Sequence, residues 1–458
     1  MKPFDLIIGA ALGVGLAACA SVETQDDLAS VADTAPAELV EDSGLDIVVH
    51  EGDFAEIEQF TTPGGVSVWL VSEPSIPILS VAMAWEGGEA ADPEGLEGLA
   101  DAVVYHMNEG AGDLDSLAFQ TRMEDLNMSF GCSASSDWTS CSASMLTDNA
   151  DEAMSLVAQA FEAPRFDAGP FARFQREREV SLNTRETNAR YLAGRAEAQA
   201  IYPDHPYARE TSAESIAALT PELAKAHMRK LMVKDSLIVT AVGAITPEEL
   251  APMLDAIAAS LPESSDLPET PEITFTVDGA FEPVLIDLPQ PQSLVRFLAP
   301  GLKREDPDFF TAYVVNYTYG GGGFGSRLME SLRVQKGLTY GVYSWLSFDD
   351  TYQNWGGSGQ TKNESVGEFV EALLAETALI AEEGITAEEL ADAKAYLTGS
   401  YPLAFDSNAK IAGQMMSVRQ DELGVDYFDR RNALIEAVPL EDANRVAAEF
   451  LQPDRFSF

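Results

Sequence analysis

A glycine-rich segment from Gly320 to Gly325 is followed by two residues with chemical potential, Arg333 and Tyr340. A guanidinium group donates paired hydrogen bonds to a carbonyl or carboxylate, and a phenol can donate to an oxygen that gains negative charge. These side chains can therefore bind and orient a polar substrate. In purely structural roles, Arg333 would stabilise the end of a helix through the helix dipole, and Tyr340 would be a half-buried aromatic residue on a strand.

The glycine-rich segment does not match either of the two common phosphate-binding motifs. A P-loop needs Lys followed by Ser or Thr after its glycines, and Ser326 follows Gly325 directly. The spacing fits Gly-x-Gly-x-x-Gly, but a helical pattern precedes it and no strand-helix-strand unit surrounds it. The pattern instead predicts a loop that ends one helix and begins another near Ser326.

The residue types that usually carry hydrolytic chemistry do not assemble into a recognisable site. A zinc site needs about three protein ligands that lie close together. Three of the four histidines, His50, His205 and His227, lie in unrelated sequence contexts, and each is predicted to be a surface or hydrogen-bonded residue. The sequence also has no Gly-x-Ser-x-Gly nucleophile motif. We therefore predict that this chain binds no catalytic zinc.

The chain is long and strongly acidic. It has 458 residues, with 75 acidic against 28 basic side chains and a net charge of −47. This length predicts two or more domains. The charge repels nucleic acid, so we expect no nucleic-acid partner. The acidic surface either keeps the protein soluble or attracts basic peptides.

The first residues are typical of an exported lipoprotein. Residues 6–18 are an apolar run, too short to cross a bilayer easily, that ends in Leu-Ala-Ala before Cys19. We interpret residues 1–18 as a signal peptide and Cys19 as a lipidation site, with simple secretion or a retained signal as alternatives. Residues 19–45 then predict a flexible tether. The resemblance to bacterial lipoproteins implies a periplasmic location, and Ala20 favours the outer membrane.

Cys132 and Cys141 lie in a segment that predicts a β-hairpin with a two-residue turn at Ser136 and Asp137. In that register the two cysteines are directly opposed, close enough for a disulfide. An oxidising compartment would permit the bond. Two small buried thiols are the alternative, and the sequence does not decide between them.

The two halves of the chain repeat one pattern. Residues 216–224 match residues 435–443 at an offset of 219, and Asp235 matches Asp454 at the same offset. Self-similarity at the length of a domain indicates a duplicated unit.

The order of predicted elements gives an α+β fold class. We expect a first domain over 46–261, a linker over 262–281 and a second domain over 282–458, each a mostly antiparallel sheet with helices packed on one face. The second domain should open with strands at 283–288 and 293–299.

The segment from Gly320 to Tyr340, with its Ser-Arg-Leu, Leu-Arg and Gly-Leu-Thr-Tyr elements, resembles the second domain of the pitrilysin/insulinase family of zinc metallopeptidases. In that family, the matching arginine and tyrosine reach the active cleft and hold the substrate backbone. The resemblance extends over about residues 46–458. It implies two homologous domains that form half of a clamshell, with Arg333 and Tyr340 binding substrate.

The first half resembles the same family but lacks its zinc ligands. Residues 85–100 resemble the entry into the zinc helix, which in active members carries His-x-x-Glu-His. The aligned positions here are Asp101, Val104 and Tyr105, so both ligands and the general base are replaced. Thr184 lies where the family has its third ligand, a glutamate.

The resemblance implies a non-catalytic subunit of a heterodimeric periplasmic zinc metallopeptidase. A catalytic partner with the intact motif would hold the zinc, and this chain would supply Arg333 and Tyr340 for hydrolysis of a peptide substrate. The chain itself would bind no cofactor and would contact the membrane only through the lipid on Cys19. The alternative is a non-enzymatic lipoprotein of the same fold that acts as a binding or scaffolding module.

Overall fold

The computed structural model describes residues 45–52, 54–273, 282–348 and 351–458, all within one compact unit. The predicted signal peptide, the lipidation site Cys19 and almost all of the tether lie outside the described residues. Across the described ranges, no helix combines the length and the apolar character needed to cross a membrane. The fold is α+β, as predicted, with two sheets and fourteen α-helices in the described parts.

The first half forms a seven-stranded sheet. Its strands are β1 (Val48–Glu51), β2 (Glu56–Thr61), β3 (Ser67–Ser72), β4 (Ile78–Glu86), β5 (Ser129–Ala134), β6 (Trp138–Leu146) and β7 (Ile238–Gly243). The strands lie in the order β1-β2-β3-β7-β4-β6-β5, and every neighbouring pair is antiparallel except β3 with β7. Strand β5 therefore lies at one edge of this sheet.

The helices of the first half mostly cover one face of this sheet, where they share a single apolar core with it. They are α1 (Leu99–His106), α2 (Ser116–Asp125), α3 (Ala150–Glu162), α4 (Ala168–Arg185), α5 (Ala189–Ile201), α6 (Ala213–Ala218), α7 (Pro221–Leu231) and α8 (Pro247–Ala258). Helix α7 begins at Pro221 because the Thr220 side chain accepts a hydrogen bond from the Leu223 amide and Pro221 suits the first turn.

The second half forms a smaller antiparallel sheet in the order β8-β10-β9. Its elements are β8 (Gln292–Pro300), α9 (Phe309–Asn316), β9 (Thr339–Phe348), β10 (Gln353–Lys362), α10 (Val366–Glu383), α11 (Ala387–Gly399), α12 (Asn408–Gln420), α13 (Tyr427–Ala437) and α14 (Leu440–Phe450). The strand predicted at 283–288 is wrong. Leu285 in this segment is 94% exposed, and Pro283 has no amide hydrogen to contribute to a ladder.

The two halves repeat their elements at nearly constant spacing. Shifted by 219 positions, α5 coincides with α12 and α7 with α14 at both ends; shifted by 214, β4 coincides with β8. The structure therefore contains the repeated unit that the sequence indicates.

In each half, one helix of the equivalent pair α5 and α12 packs against the sheet of the other half. Helix α12 lies on the face of the first sheet opposite its own helices, where Met415 and Val418 pack with Trp69. The Thr240 hydroxyl of β7 donates to the Ala412 carbonyl over 2.8 Å. In return, α5 reaches the second sheet, where Glu197 lies 2.5 Å from Arg296 of β8. Because of this exchange, neither sheet is covered by its own half alone.

The hairpin of β5 and β6 has the predicted register. The Ser135 amide donates to the Trp138 carbonyl over 2.8 Å, which leaves Ser136 and Asp137 as the two turn residues. Cys132 is directly opposite Cys141, and the two form a disulfide. Between the two alternatives left open by the sequence, the structure has the bonded form.

Shortening Met415 to alanine should destabilise both halves together. The Met415 side chain is fully buried between α12 and the first sheet, so Met415→Ala leaves a cavity that costs about 3 kcal/mol. Urea unfolding followed by circular dichroism should show one transition at a lower midpoint. Ser417→Ala, at an exposed position of the same helix, is the matched control and should shift the midpoint little. An unchanged midpoint for Met415→Ala would show that α12 does not contribute to this core.

Candidate functional site

Helix α1, which carries the positions of the missing zinc motif, begins at a buried carboxylate. Asp92 accepts hydrogen bonds from the amides of Gly98, Leu99 and Ala100, at 2.8, 2.9 and 2.8 Å. These amides have no partner within the helix, and a negative charge near them also interacts well with the helix dipole. Gly98 has φ of 95°, a conformation that favours glycine. The start of α1 is therefore fixed by local interactions.

Asp101, at the first ligand position, forms an ion pair with Arg178 of α4. The guanidinium donates two hydrogen bonds to the carboxylate, one of them 2.7 Å from Nη2 to Oδ1. These bonds raise the pKa of Arg178 above its ordinary value. The guanidinium also lies over the ring of Phe174, 5.1 Å from its centroid. Both carboxylate oxygens of Asp101 thus face a cation of this chain.

Tyr105, at the second ligand position, is the centre of a network on the same face of α1. Its hydroxyl donates to Glu177 Oε2 and accepts a hydrogen bond from Arg173 Nε, both over 3.0 Å. Arg173 also lies 2.5 Å from a Glu109 carboxylate oxygen. Burial raises the pKa of Tyr105, so its phenol stays protonated at neutral pH. A protonated phenol with two hydrogen bonds is a poor ligand for zinc.

The remaining positions of the motif offer no ligands. Val104, at the position of the general base, is a buried hydrocarbon. Thr184 is exposed near the C-terminal end of α4, and its hydroxyl donates to the Ser181 carbonyl over 2.8 Å. It lies two helical turns, roughly 10 Å, beyond Glu177. The structure therefore brings Asp101 and Tyr105 to Arg178 and Glu177 rather than to Thr184.

His106, the residue after the motif, is part of the core. Its Nδ1 is 2.7 Å from the Ala102 carbonyl, and its ring stacks between those of Phe166 and Phe171. Burial lowers the pKa of His106, which therefore stays neutral.

The side chains present do not fit the zinc ion that the motif would imply. Within the four described ranges, no group of three or more His, Cys, Asp or Glu residues could hold a metal ion. Arg173 and Arg178 of α4 both face α1, and the positive charge of their guanidinium groups repels a metal cation. The other histidines, His50, His205 and His227, lie next to Asp429, the Pro271 carbonyl and Asp92.

In the second half, the glycine-rich segment folds tightly against β9. A π-helical turn at Tyr317–Gly321 follows α9, and a Cβ at Gly320 would lie 2.8 Å from the Ser344 amide nitrogen. Only glycine permits this approach. Gly323 has φ of 60°, in the left-handed region. The segment is therefore the helix-breaking loop that the sequence predicts. A helix rather than a strand precedes it, unlike in a dinucleotide-binding motif.

The two residues after the loop fix it to the rest of the domain. Ser326 is buried, and its hydroxyl donates to the Gly323 carbonyl over 2.8 Å. The Arg327 guanidinium holds the Glu389 carboxylate with two hydrogen bonds, at 2.6 and 2.7 Å, and donates to the Gly384 carbonyl at 2.9 Å. Of the two arginines in this motif, Arg327 thus has a structural role.

Arg333 has a different environment. It lies in a π-helical segment, Met329–Gln335, and its guanidinium lies over the Phe324 ring, 4.3 Å from the centroid. No carboxylate of the described residues forms an ion pair with it, although the chain has 75 acidic side chains. Its hydrogen-bond donors therefore remain available to a ligand.

Tyr340 projects from the edge of the second sheet. It lies at the start of β9, whose one partner among the described strands is β10, next to an irregularity in their register between Gly359 and Thr361. Its side chain is 83% exposed, so the structural expectation of a half-buried strand residue is not met. Arg333 and Tyr340 are joined by the short turn through Gly337 and are both accessible to solvent.

Sequence reasoning missed four residues of these two clusters: Arg173, Glu177, Arg178 and Phe324. The run Arg176-Glu-Arg-Glu was a visible signal, because charged residues at such spacing often form pairs along or between helices. Which of them would face α1 depends on how α4 packs, and the spacing alone does not give that. For Phe324, an aromatic residue between glycines was the available signal.

Two domain families match this chain. The model for the insulinase family, peptidase family M16, matches residues 67–213, and the model for the peptidase M16 inactive domain matches residues 218–397. Among curated relatives, a non-peptidase homolog, YmxG, of Helicobacter pylori is 28% identical over 331 residues, which are 72% of this chain and 76% of that protein.

Solved structures show the same fold. A peptidase M16 inactive domain from Pseudomonas fluorescens aligns with a TM-score of 0.81 and 26% identity. The alignment covers 88% of this chain and 96% of the Pseudomonas fluorescens chain. The periplasmic protease PqqL of Escherichia coli has a TM-score of 0.76 and 18% identity, covering 93% of this chain and 47% of its own, so that similarity is one of fold alone.

Removing either partner of the ion pair between α1 and α4 should lower the stability of the protein, and the two losses should not add. Arg178→Ala leaves the Asp101 carboxylate without its cation, and we expect a loss of about 1–2 kcal/mol in the free energy of unfolding. The double variant Asp101→Ala with Arg178→Ala should lose less than the sum of the single variants. Arg176→Ala, at an exposed position of the same helix, is the control. Additive losses in urea unfolding would contradict the pairing.

Proposed function

Because the chain belongs to the insulinase (peptidase M16) family, we propose that it is the non-catalytic subunit of a heterodimeric periplasmic zinc metallopeptidase. Its Arg333 and Tyr340 would position a peptide at a site whose zinc ligands belong to a partner subunit. The observation that carries the proposal is a contrast within one chain. At the zinc-helix positions, Asp101 forms an ion pair with Arg178 and the Tyr105 hydroxyl is hydrogen-bonded to Glu177 and Arg173. By contrast, Arg333 has no carboxylate partner among the described residues and Tyr340 is exposed.

The two side chains suit the positioning role. Arg333 can donate paired hydrogen bonds to backbone carbonyls of an extended peptide, and Tyr340 can donate one to an oxygen on which negative charge develops. Such positioning and charge stabilisation are worth a few kcal/mol in a transition state. An extended peptide can also add to a strand edge, and β5 and β9 lie at edges of their sheets.

The proposed location and substrate class follow from sequence features outside this site. A lipid on Cys19 would anchor the chain to the periplasmic face of a membrane, the outer membrane in our proposal. The net charge of −47 would favour peptides with basic residues.

A second candidate is a non-enzymatic binding or scaffolding module of the same fold. The name of the Helicobacter pylori relative, a non-peptidase homolog, favours it. The two candidates differ in what they need: the subunit requires a partner of the same fold that carries His-x-x-Glu-His, and the scaffold does not. Affinity purification of this chain from its native cells, followed by identification of associated proteins and their metal content, separates the two candidates.

Purified alone, this chain should neither bind stoichiometric zinc nor cleave peptides. The physical reason is that Arg173 and Arg178 lie between α1 and α4 and already pair with the carboxylates there. In addition, the described residues contain no group of three or more side chains that could hold a metal ion. Zinc content can be measured by mass spectrometry after dialysis against micromolar zinc, with peptide cleavage measured in parallel. Robust cleavage that a chelator abolishes would refute the non-catalytic role.

In the reconstituted pair, Arg333→Ala and Tyr340→Phe should each lower kcat/KM while leaving assembly intact. A hydrogen bond from a charged donor is worth about 1.5–3 kcal/mol, so we expect roughly a 10- to 100-fold loss for Arg333→Ala. Tyr340→Phe removes only the hydroxyl and should lose at least about tenfold. Lys336→Ala and Tyr396→Phe, at exposed positions nearby in the second half, are matched controls. Wild-type turnover in both site variants would leave Arg333 and Tyr340 with structural roles only.

A further inference from the structure

Phe324 is an exposed aromatic residue in the middle of a constrained loop. Its side chain is 69% exposed, and it lies between Gly323 and Gly325. Single exposed apolar side chains are common on protein surfaces and need no explanation by themselves. Phe324 differs because its ring has a defined contact, the guanidinium of Arg333, 4.3 Å from the ring centroid.

The geometry of this contact leaves the guanidinium ready to bind. A cation within about 6 Å of a ring centroid is attracted to the face of the ring. The planar face of the group can rest on the ring while its N–H bonds, which lie in the plane, remain available for carbonyl or carboxylate oxygens. A contact of this kind leaves the N–H donors of Arg333 available to other groups.

The loop holds the ring in place. The Gly322 amide donates to the Tyr317 carbonyl over 2.7 Å on one side of Phe324. On the other side, the Ser326 amide and hydroxyl both donate to the Gly323 carbonyl, at 3.1 and 2.8 Å. Because the backbone on both sides is bonded, the loop fixes the position from which the Phe324 side chain projects.

Glu330 is the acidic side chain nearest to Arg333 in sequence. It precedes Arg333 by three residues, a spacing at which side chains on an α-helix can meet. In the structure, Glu330 Oε1 instead accepts a hydrogen bond from Gln335 Nε2 over 3.3 Å. Arg333 thus lies over the Phe324 ring, and the acidic side chain nearest to it in sequence bonds another residue.

We propose that Phe324 is a positioning residue for peptide binding: its ring holds the Arg333 guanidinium away from Glu330, with the N–H groups free for substrate carbonyl oxygens. This inference rests on the proposed role of Arg333. It adds that the glycine-rich loop acts through one aromatic side chain.

The test measures kcat and KM of the reconstituted pair on the quenched-fluorescence peptide, from a set rich in basic residues, that the wild-type pair cleaves fastest. Phe324→Ala should raise KM about threefold, with a smaller change in kcat. Phe324→Tyr keeps the aromatic face and should behave as wild type. Adding Glu330→Gln to Phe324→Ala removes the competing carboxylate and should recover much of the loss. In the background of Arg333→Ala, Phe324→Ala should have no further effect.

The outcomes separate this inference from the proposed function. If Arg333→Ala lowers activity and Phe324→Ala does not, only the positioning role of Phe324 is overturned. If Arg333→Ala itself has no effect, the proposed function fails, and this inference with it. An equal loss from Phe324→Ala in the wild-type and Arg333→Ala backgrounds would assign Phe324 a direct substrate contact and overturn the positioning role. Unfolding midpoints of all variants, which should match the wild type, exclude loss of structure as the cause.

Discussion

Arg178 of α4 donates two hydrogen bonds to Asp101 of α1, and this ion pair joins the two helices that would otherwise share a metal ion. A zinc ion contributes two positive charges that hold its ligands together. Here Arg173 and Arg178 contribute the positive charge, and they face the acidic side chains Asp101, Glu109 and Glu177. Helix packing is preserved by this arrangement, whereas the open coordination position that activates water is not. The fold of the M16 family is therefore retained with side chains at these positions that do not fit a zinc ion.

The replacement of zinc ligands by ion-paired and hydrogen-bonded side chains explains which part of the site could be predicted from the sequence. The replacement of the ligands at Asp101, Val104 and Tyr105 follows from residue types at fixed spacing on one helix, so it is visible in the sequence. The partners on α4 depend on how two helices separated by about 70 residues pack, and Glu177 and Arg178 face α1 rather than Thr184. Local spacing carries no information on that choice. The loop at Gly320–Gly325 was predictable for the opposite reason, since its conformation depends on glycines within a few residues.

The fold shows the same division between local and distant determinants. Helix starts such as Thr220-Pro221, the hairpin turn at Ser136 and Asp137, and the repeat offset of 219 all follow from nearby residues or from self-comparison. The packing of α12 on the first sheet does not follow from nearby residues. The apolar face of α12 predicts that the helix is covered, but it does not identify the surface that covers it. The segment at 283–288 is apolar enough to resemble a strand, yet it lies outside both ladders. Composition alone overestimates strands when no partner edge receives them.

The arginines of the second half differ in whether they pair with a carboxylate. With 28 basic residues against 75 acidic ones, an arginine in this chain is surrounded by possible carboxylate partners. Arg327 and Arg445 follow that expectation, each holding a carboxylate with two hydrogen bonds, to Glu389 and Asp308. Arg333 has no such pair among the described residues. Its guanidinium lies over the face of an aromatic ring, on a loop whose backbone is turned by glycines and held by hydrogen bonds. In the proposed role of Phe324, the glycine-rich loop, which the sequence predicts as a break between helices, keeps one cation of an acidic protein available for binding.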